Sequence, residues 1–157
     1  MSEADEPTIH DAVRFDANVD DLDPRLWPHV IDRLLDAGAH DAWVTPIVMK
    51  KGRPAFTVSA LCDSDTADAV RDVVFRETST IGVRESAVRK HVLHRRIDHV
   101  EVEGRSVGVK TATLRGEVVN RSVEWDDVAA AAAALGLSAK QVLEAARSAA
   151  STLDDGS

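Results

Sequence analysis

The chain has no tyrosine, and aromatic residues make up only 4% of its 157 positions. Its core must be built from Val, Leu, Ile and Ala, yet the hydrophobic share still reaches 44%, enough for a real core. A single cysteine, Cys62, excludes an internal disulfide and any cysteine-based zinc cage. Long hydrophobic runs are missing too. The longest, residues 128–137, is alanine-rich and falls short of the ~20 residues a membrane span needs. Positive charge is in deficit, with a net charge of -8. Nucleic acid wants a broad basic surface, so it is a disfavoured partner. The first residues, Met1 to Pro7, are acidic and carry no signal-peptide pattern, so the chain is expected to be cytoplasmic and free of the membrane.

What is present reads as a single domain or a domain with an appendage. Residues 1–10 are expected to be disordered. Residues 13–20 alternate apolar and polar with period two, a half-buried strand. Asp23-Pro24 is a helix start, with Asp as N-cap and Pro at the first position. Trp27, Val30, Ile31, Leu34 and Leu35 then share a helical face, which Gly38 ends. Strands at 42–49 and 55–62 follow, joined by a hairpin. A second helix presents Ala67, Val70, Val73 and Val74, and residues 83–93 are again strand-like. The order β-α-β-β-α-β is that of an α+β ferredoxin-like sandwich over residues 11–95. Residues 96–150 are expected to add a β-hairpin and a C-terminal helical pair. Ser138 to Gln141 is a capping box opening the last helix. Residues 151–157 are expected to fray.

Three stretches carry candidate chemistry. Lys50, Lys51 and Arg53 sit within four residues at the hairpin tip of an acidic protein. Cations held at a tight turn beside Gly52 suit a small anion such as a phosphate; a solvated hairpin tip is the plain alternative. Asp20 and Asp21 follow a strand end and are hard oxygen ligands suited to Mg²⁺ or Mn²⁺; helix capping is the plain alternative there. Arg76 to Arg84, with Thr78, Ser79, Thr80 and Gly82, is built to cup a phosphate or simply to end a helix. In a ferredoxin-like order we expect Asp20 and Lys50 to lie far apart within one subunit, so a shared site would need a subunit interface. His91, His94 and His99 are a weaker candidate for a soft metal such as Ni²⁺. Cys62 reads as structural.

The blocks at residues 18–24, 34–43, 46–54, 75–84 and 120–126 together resemble the C-terminal domain of the LarC family (DUF111). Met49-Lys50-Lys51-Gly52-Arg53-Pro54 and Thr78-Ser79-Thr80-Ile81-Gly82-Val83-Arg84 are the most specific of them. That resemblance implies a nickel-insertion protein that makes the nickel-pincer nucleotide cofactor of lactate racemase. Such a protein is a lyase-class nickel chelatase acting on pyridinium-3,5-bisthiocarboxylic acid mononucleotide. CTP with Mn²⁺ or Mg²⁺ would bind this domain, which would form a homo-oligomer and work with a separate N-terminal LarC-type subunit. Ni²⁺ would be the substrate metal of the complete system. Carried onto this sequence, Lys50, Lys51, Arg53, Arg84, Thr78 and Thr80 would bind the nucleotide phosphates, and Asp20 and Asp21 the metal. Asp16-Ala17 stands in place of the family's usual Glu-Thr pair, and Asp23 in place of a usual Asn. Two other functions fit the same residues. One is a ferredoxin-like regulatory module that senses a nucleotide without consuming it. The other is a purely structural oligomerisation domain.

Overall fold

The first strand forms where the alternation predicts it and begins earlier, so that β1 spans Thr8–Val19. The computed structural model describes residues 6–153; residues 1–5 and 154–157, within the ends expected to be disordered or frayed, lie outside the described residues. A single turn of 3-10 helix, Pro24–Leu26, follows β1, with the Asp23 carboxylate accepting from the Arg25 N–H as the N-cap. It leads into α1 (Trp27–Asp36). Then come β2 (Ala39–Met49), β3 (Arg53–Cys62), α2 (Ala67–Glu77) and β4 (Arg84–Val92). Gly38, at φ 101°, reverses the chain between α1 and β2, as its place after the apolar face predicts. The four strands form one sheet in the order β2-β3-β1-β4, the ferredoxin-like arrangement.

The chain divides into two units, residues 9–90 and the residues from His91 onward with the start of the chain to Thr8. In the first unit, Phe15, Ala17 and Val19 of β1 and Val58, Ala60 and Cys62 of β3 point to one side. They pack on Trp27, Val30 and Leu34 of α1 and on Val70, Val73 and Val74 of α2. Period two on the strands and a 3.6-residue period on the helices place these apolar sets face to face. Leu35, expected in the core, is 44% exposed. It sits at the rim of the helical stripe.

The second unit has its own three-stranded sheet, β5 (His94–Val102), β6 (Arg105–Leu114) and β7 (Glu117–Val123), covered by α3 (Trp125–Leu135) and α4 (Ala139–Ala150). The hairpin and helical pair are as expected, but β7 adds a strand to them. Its apolar residues, Val118, Val119 and Val123, fall at irregular spacing, which erases the alternating signal. The remaining cue is the turn Arg115-Gly116, both at positive φ, which suits a tight hairpin. Ser138 and Gln141 close the capping box reciprocally, as the sequence predicts. Among the described residues no helix is long and apolar enough to cross a membrane.

Candidate functional site

With Phe15, Ala17 and Val19 committed to the core, strand alternation sends Arg14, Asp16, Asn18 and Asp20 to the opposite face of the sheet. β1 is a central strand, so this polar row lies between β3 and β4. Its upper part is tied down tightly. The Ser59 hydroxyl and the Arg14 guanidinium donate to Asp16 Oδ1 at 2.5 and 2.9 Å. Arg14 also lies over the Trp43 ring, 5.4 Å from its centroid. Burial acts to raise the Asp16 pKa. The bonds from Arg14 and Ser59 and the charges of Arg14 and Arg84 outweigh it and hold the carboxyl below its usual value.

The lower part is where the candidates gather. Asn18 Oδ1 accepts from the Thr57 hydroxyl at 2.8 Å and from Arg84 Nη2 at 2.9 Å, which sets the start of β4 beside the end of β1. One residue beyond β1, Asp20 Oδ2 accepts from Arg53 Nη1 at 3.0 Å. Asp21 accepts from the Ser79 hydroxyl in the α2–β4 connection. The expectation that Asp20 lies far from the hairpin tip is therefore overturned. β1 runs antiparallel to β3, with Val19 opposite Phe56, so the end of β1 abuts the start of β3. One chain brings Asp20, Asp21, Arg53 and Arg84 to one end of one sheet.

The other candidates take different places. Lys50 and Lys51 form the turn between β2 and β3 and make no ion pair among the described residues. Lys51 is in the left-handed conformation at φ 65° and ψ 19°, uncommon for a residue with a side chain. The Thr78 hydroxyl donates to the Val74 carbonyl at 2.7 Å and accepts from the Thr80 N–H at 3.2 Å. The Thr80 hydroxyl donates to the Gly82 carbonyl at 2.9 Å. These two side chains hold their own loop in shape, and Ser79 between them reaches the carboxylate. Arg76 lies 3.7 Å from Asp72 on its own helix. Cys62 is buried, and burial pushes its thiol pKa up, as a structural cysteine requires. Thr57 is the site residue that sequence reasoning did not single out, and Ser79 reads from the sequence only as part of the phosphate loop, not as a partner of Asp21. Only the antiparallel register brings Thr57 opposite Asn18.

Asp20 and Asp21 are adjacent but hold different partners, and among the described residues no group of three or more His, Cys, Asp or Glu is placed to hold a metal ion. The three histidines near the start of the second unit form no such group either. Two carboxylates are too few for an all-protein cage. They do fit Mg²⁺ or Mn²⁺, which keep waters and take phosphate oxygens to complete their coordination.

The family described as "Nickel insertion protein" matches residues 1–143. The pyridinium-3,5-bisthiocarboxylic acid mononucleotide nickel insertion protein of Nocardioides sp. (strain ATCC BAA-499 / JS614) is 59% identical over 121 residues, 77% of this chain and 31% of that protein. The protein of the same name from Thermotoga sp. (strain RQ2) is 38% identical over 133 residues, 85% of this chain and 33% of its own length. The chain thus spans about a third of the curated relatives it matches. Among solved structures it is similar to LarC2, the C-terminal domain of a cyclometallase involved in the synthesis of the NPN cofactor of lactate racemase, in its apo form. That match has a TM-score of 0.84 and 31% identity, and it covers 92% of this chain and all of that one. Protein MK0293 from Methanopyrus kandleri AV19 shares the fold at a TM-score of 0.59 and 22% identity. The chain belongs to the nickel insertion protein family and corresponds to its C-terminal, LarC2-type domain.

Proposed function

We propose that this chain binds CTP together with Mn²⁺ or Mg²⁺ as the C-terminal part of a cytoplasmic nickel-insertion enzyme of the lyase class. The observation that carries this reading is the convergence of Arg53 and Arg84 with Asp20 and Asp21 at the end of β1, next to the Lys50-Lys51 turn. Phosphates need fixed cations, and a phosphate-bound cation needs one or two carboxylates. Lys50, Lys51, Arg53 and Arg84 neutralise the phosphate oxygens. Thr78 and Thr80 keep the neighbouring loop in the shape that borders them. Asp20 or Asp21 holds the divalent cation, directly or through water, and the cation when bound offsets the charge of the phosphates. Ni²⁺ is cargo of the whole system, inserted into a pyridinium bis-thiocarboxylate nucleotide with the help of an N-terminal LarC-type region. Self-association of the domain belongs to the same reading. Val48 and Ile81, 77% and 101% exposed beside the tip and the loop, support it as apolar contact points.

Calorimetric titration of the purified chain tests the reading. CTP is expected to bind with Mn²⁺ and not with EDTA. Lys50→Ala or Arg53→Ala should each weaken it about ten-fold, the scale of one charge-assisted contact of ~1.5 kcal/mol. Binding that persists unchanged in both variants would put the phosphates elsewhere.

A further inference from the structure

The second unit presents one helix face that no described residue covers. α3 turns Val128, Ala131 and Ala132 to the core. Its other side carries Trp125, Ala129, Ala130, Ala133 and Ala134, all exposed, and Leu137 follows just past its end. Trp125 and Leu137 are 59% and 39% exposed. The charge on that side is Asp126, in the first turn. The other helices differ. α1 exposes Asp32, Arg33 and Asp36, α2 exposes Asp68, Asp72 and Arg76, and α4 exposes Lys140, Glu144 and Arg147. A helix that is apolar on every side is ordinarily a buried one. Beside this face lies a crevice of about 260 Å³, lined by Ala130, Ala131 and Ala134 and by Arg105, Ser106 and Asp127. Asp127 Oδ2 accepts from the Gly108 N–H at 2.8 Å, so that carboxylate is committed to the sheet. Arg105 is exposed and is the charge the crevice offers outward. Ligand pockets usually span about 300–1,000 Å³, so this one suits a single large side chain.

We propose that this face receives the N-terminal region that nickel insertion proteins carry ahead of the present domain. The contact is an apolar helix of that region, which seats one large side chain in the crevice and sets a carboxylate against Arg105. The inference rests on the nickel-insertion reading above, which supplies that region, and adds where on this chain it sits. The greater part of each relative lies outside the match, and the similar LarC2 structure is that of a C-terminal domain. The rest of such a protein therefore leads in ahead of β1. The described start of the chain, up to Thr8, belongs to the second unit, where Arg115 Nε donates to Glu6 Oε1 at 3.1 Å. The incoming polypeptide is thus tied to the unit that carries α3, which raises its effective concentration there. Alanines let a second helix come to the close end of the ~8–10 Å range of helix spacings. Trp125 and Leu137 flank them as large apolar anchors. The residues assigned to the phosphates and the cation all lie in the other unit, so this contact leaves them to their ligand.

The test joins the N-terminal region of the Nocardioides relative to this chain ahead of β1 and compares hydrogen exchange in the fused protein with exchange in the chain alone. Amides of residues 128–137 are expected to exchange at least about ten-fold more slowly in the fused protein, and those of α4 to change far less. Ala130→Glu and Ala134→Glu, at exposed positions, should each remove the added protection. Both should leave the thermal midpoint of the chain alone within about 2 °C. Arg105→Glu should weaken the protection as well. Nickel insertion by the fused protein, given the pyridinium bis-thiocarboxylate nucleotide, Ni²⁺, CTP and Mn²⁺, reads the underlying function separately. Insertion with exchange in α3 unchanged would overturn the docking and leave the nickel-insertion reading intact. Neither insertion nor added protection would remove both. Slow exchange of α3 in the chain alone that grows with concentration, together with a dimer mass in sedimentation, would give the face to a second copy and overturn the proposal.

Discussion

Asp16 shows how one side chain couples the sheet face to pH. Its folded pKa is depressed, so it contributes stability above the pKa of an unfolded aspartate, about 4. That contribution is lost as pH falls through the lower folded value. Urea midpoints measured from pH 5 to pH 2 should fall steeply for the natural chain below about pH 4. Asp16→Asn should flatten that slope; an unchanged slope would mean that other carboxylates dominate the acid limb. The residue types in this row were legible in the sequence as the polar half of an alternating strand. Their partners were not, because each comes from a strand far along the chain: Ser59 for Asp16, Thr57 for Asn18 and Arg53 for Asp20.

At the level of elements, the signals that survived were those written within a few residues of one another. The alternation of β1, the Asp23-Pro24 start and the capping box at Ser138 all folded as the local pattern dictates. β7 did not announce itself, because Val118, Val119 and Val123 are the apolar residues of its stretch and they keep no period of two. The α1–β2 junction shows how much one position can fix. A Cβ on Gly38 would meet Thr66 Cγ2 at 2.8 Å, and its φ of 101° suits a residue without one. Gly38→Ala should lose about 1–3 kcal/mol of stability from strain and contact together. Chemical denaturation reads this directly, and a loss below about 0.5 kcal/mol, the size of an ordinary surface change, would show that the junction relaxes.

Across the whole molecule, the two units carry separate cores, and every residue assigned to the site belongs to the first. Ligand energy should therefore register there before it registers elsewhere. With saturating CTP and Mn²⁺, hydrogen exchange is expected to slow at the end of β1, at the β2–β3 turn and at residues 78–84. The interior of the second unit should change far less. Equal protection throughout would mean that the two units open as one. The sequence indicated the ferredoxin-like order because the element types alternate plainly. It misplaced Asp20 relative to the tip because strand direction decides which ends meet, and direction is not a property of any single stretch.

The left-handed backbone at Lys51 makes the hairpin tip a place where folding and recognition ask for different residues. A side chain in that conformation costs about 1–2 kcal/mol relative to the right-handed form, and glycine escapes most of that cost. Lys51→Gly should thus leave the fold as stable as before, or up to about 1 kcal/mol more stable, once the added freedom of the unfolded chain is counted. It should also weaken triphosphate binding, and paired thermal-shift and titration measurements would expose the opposition. If Lys51 meets the phosphates as proposed, a stability screen of this domain would reward the loss of a cation the ligand uses, and a more stable variant here would be a poorer receptor.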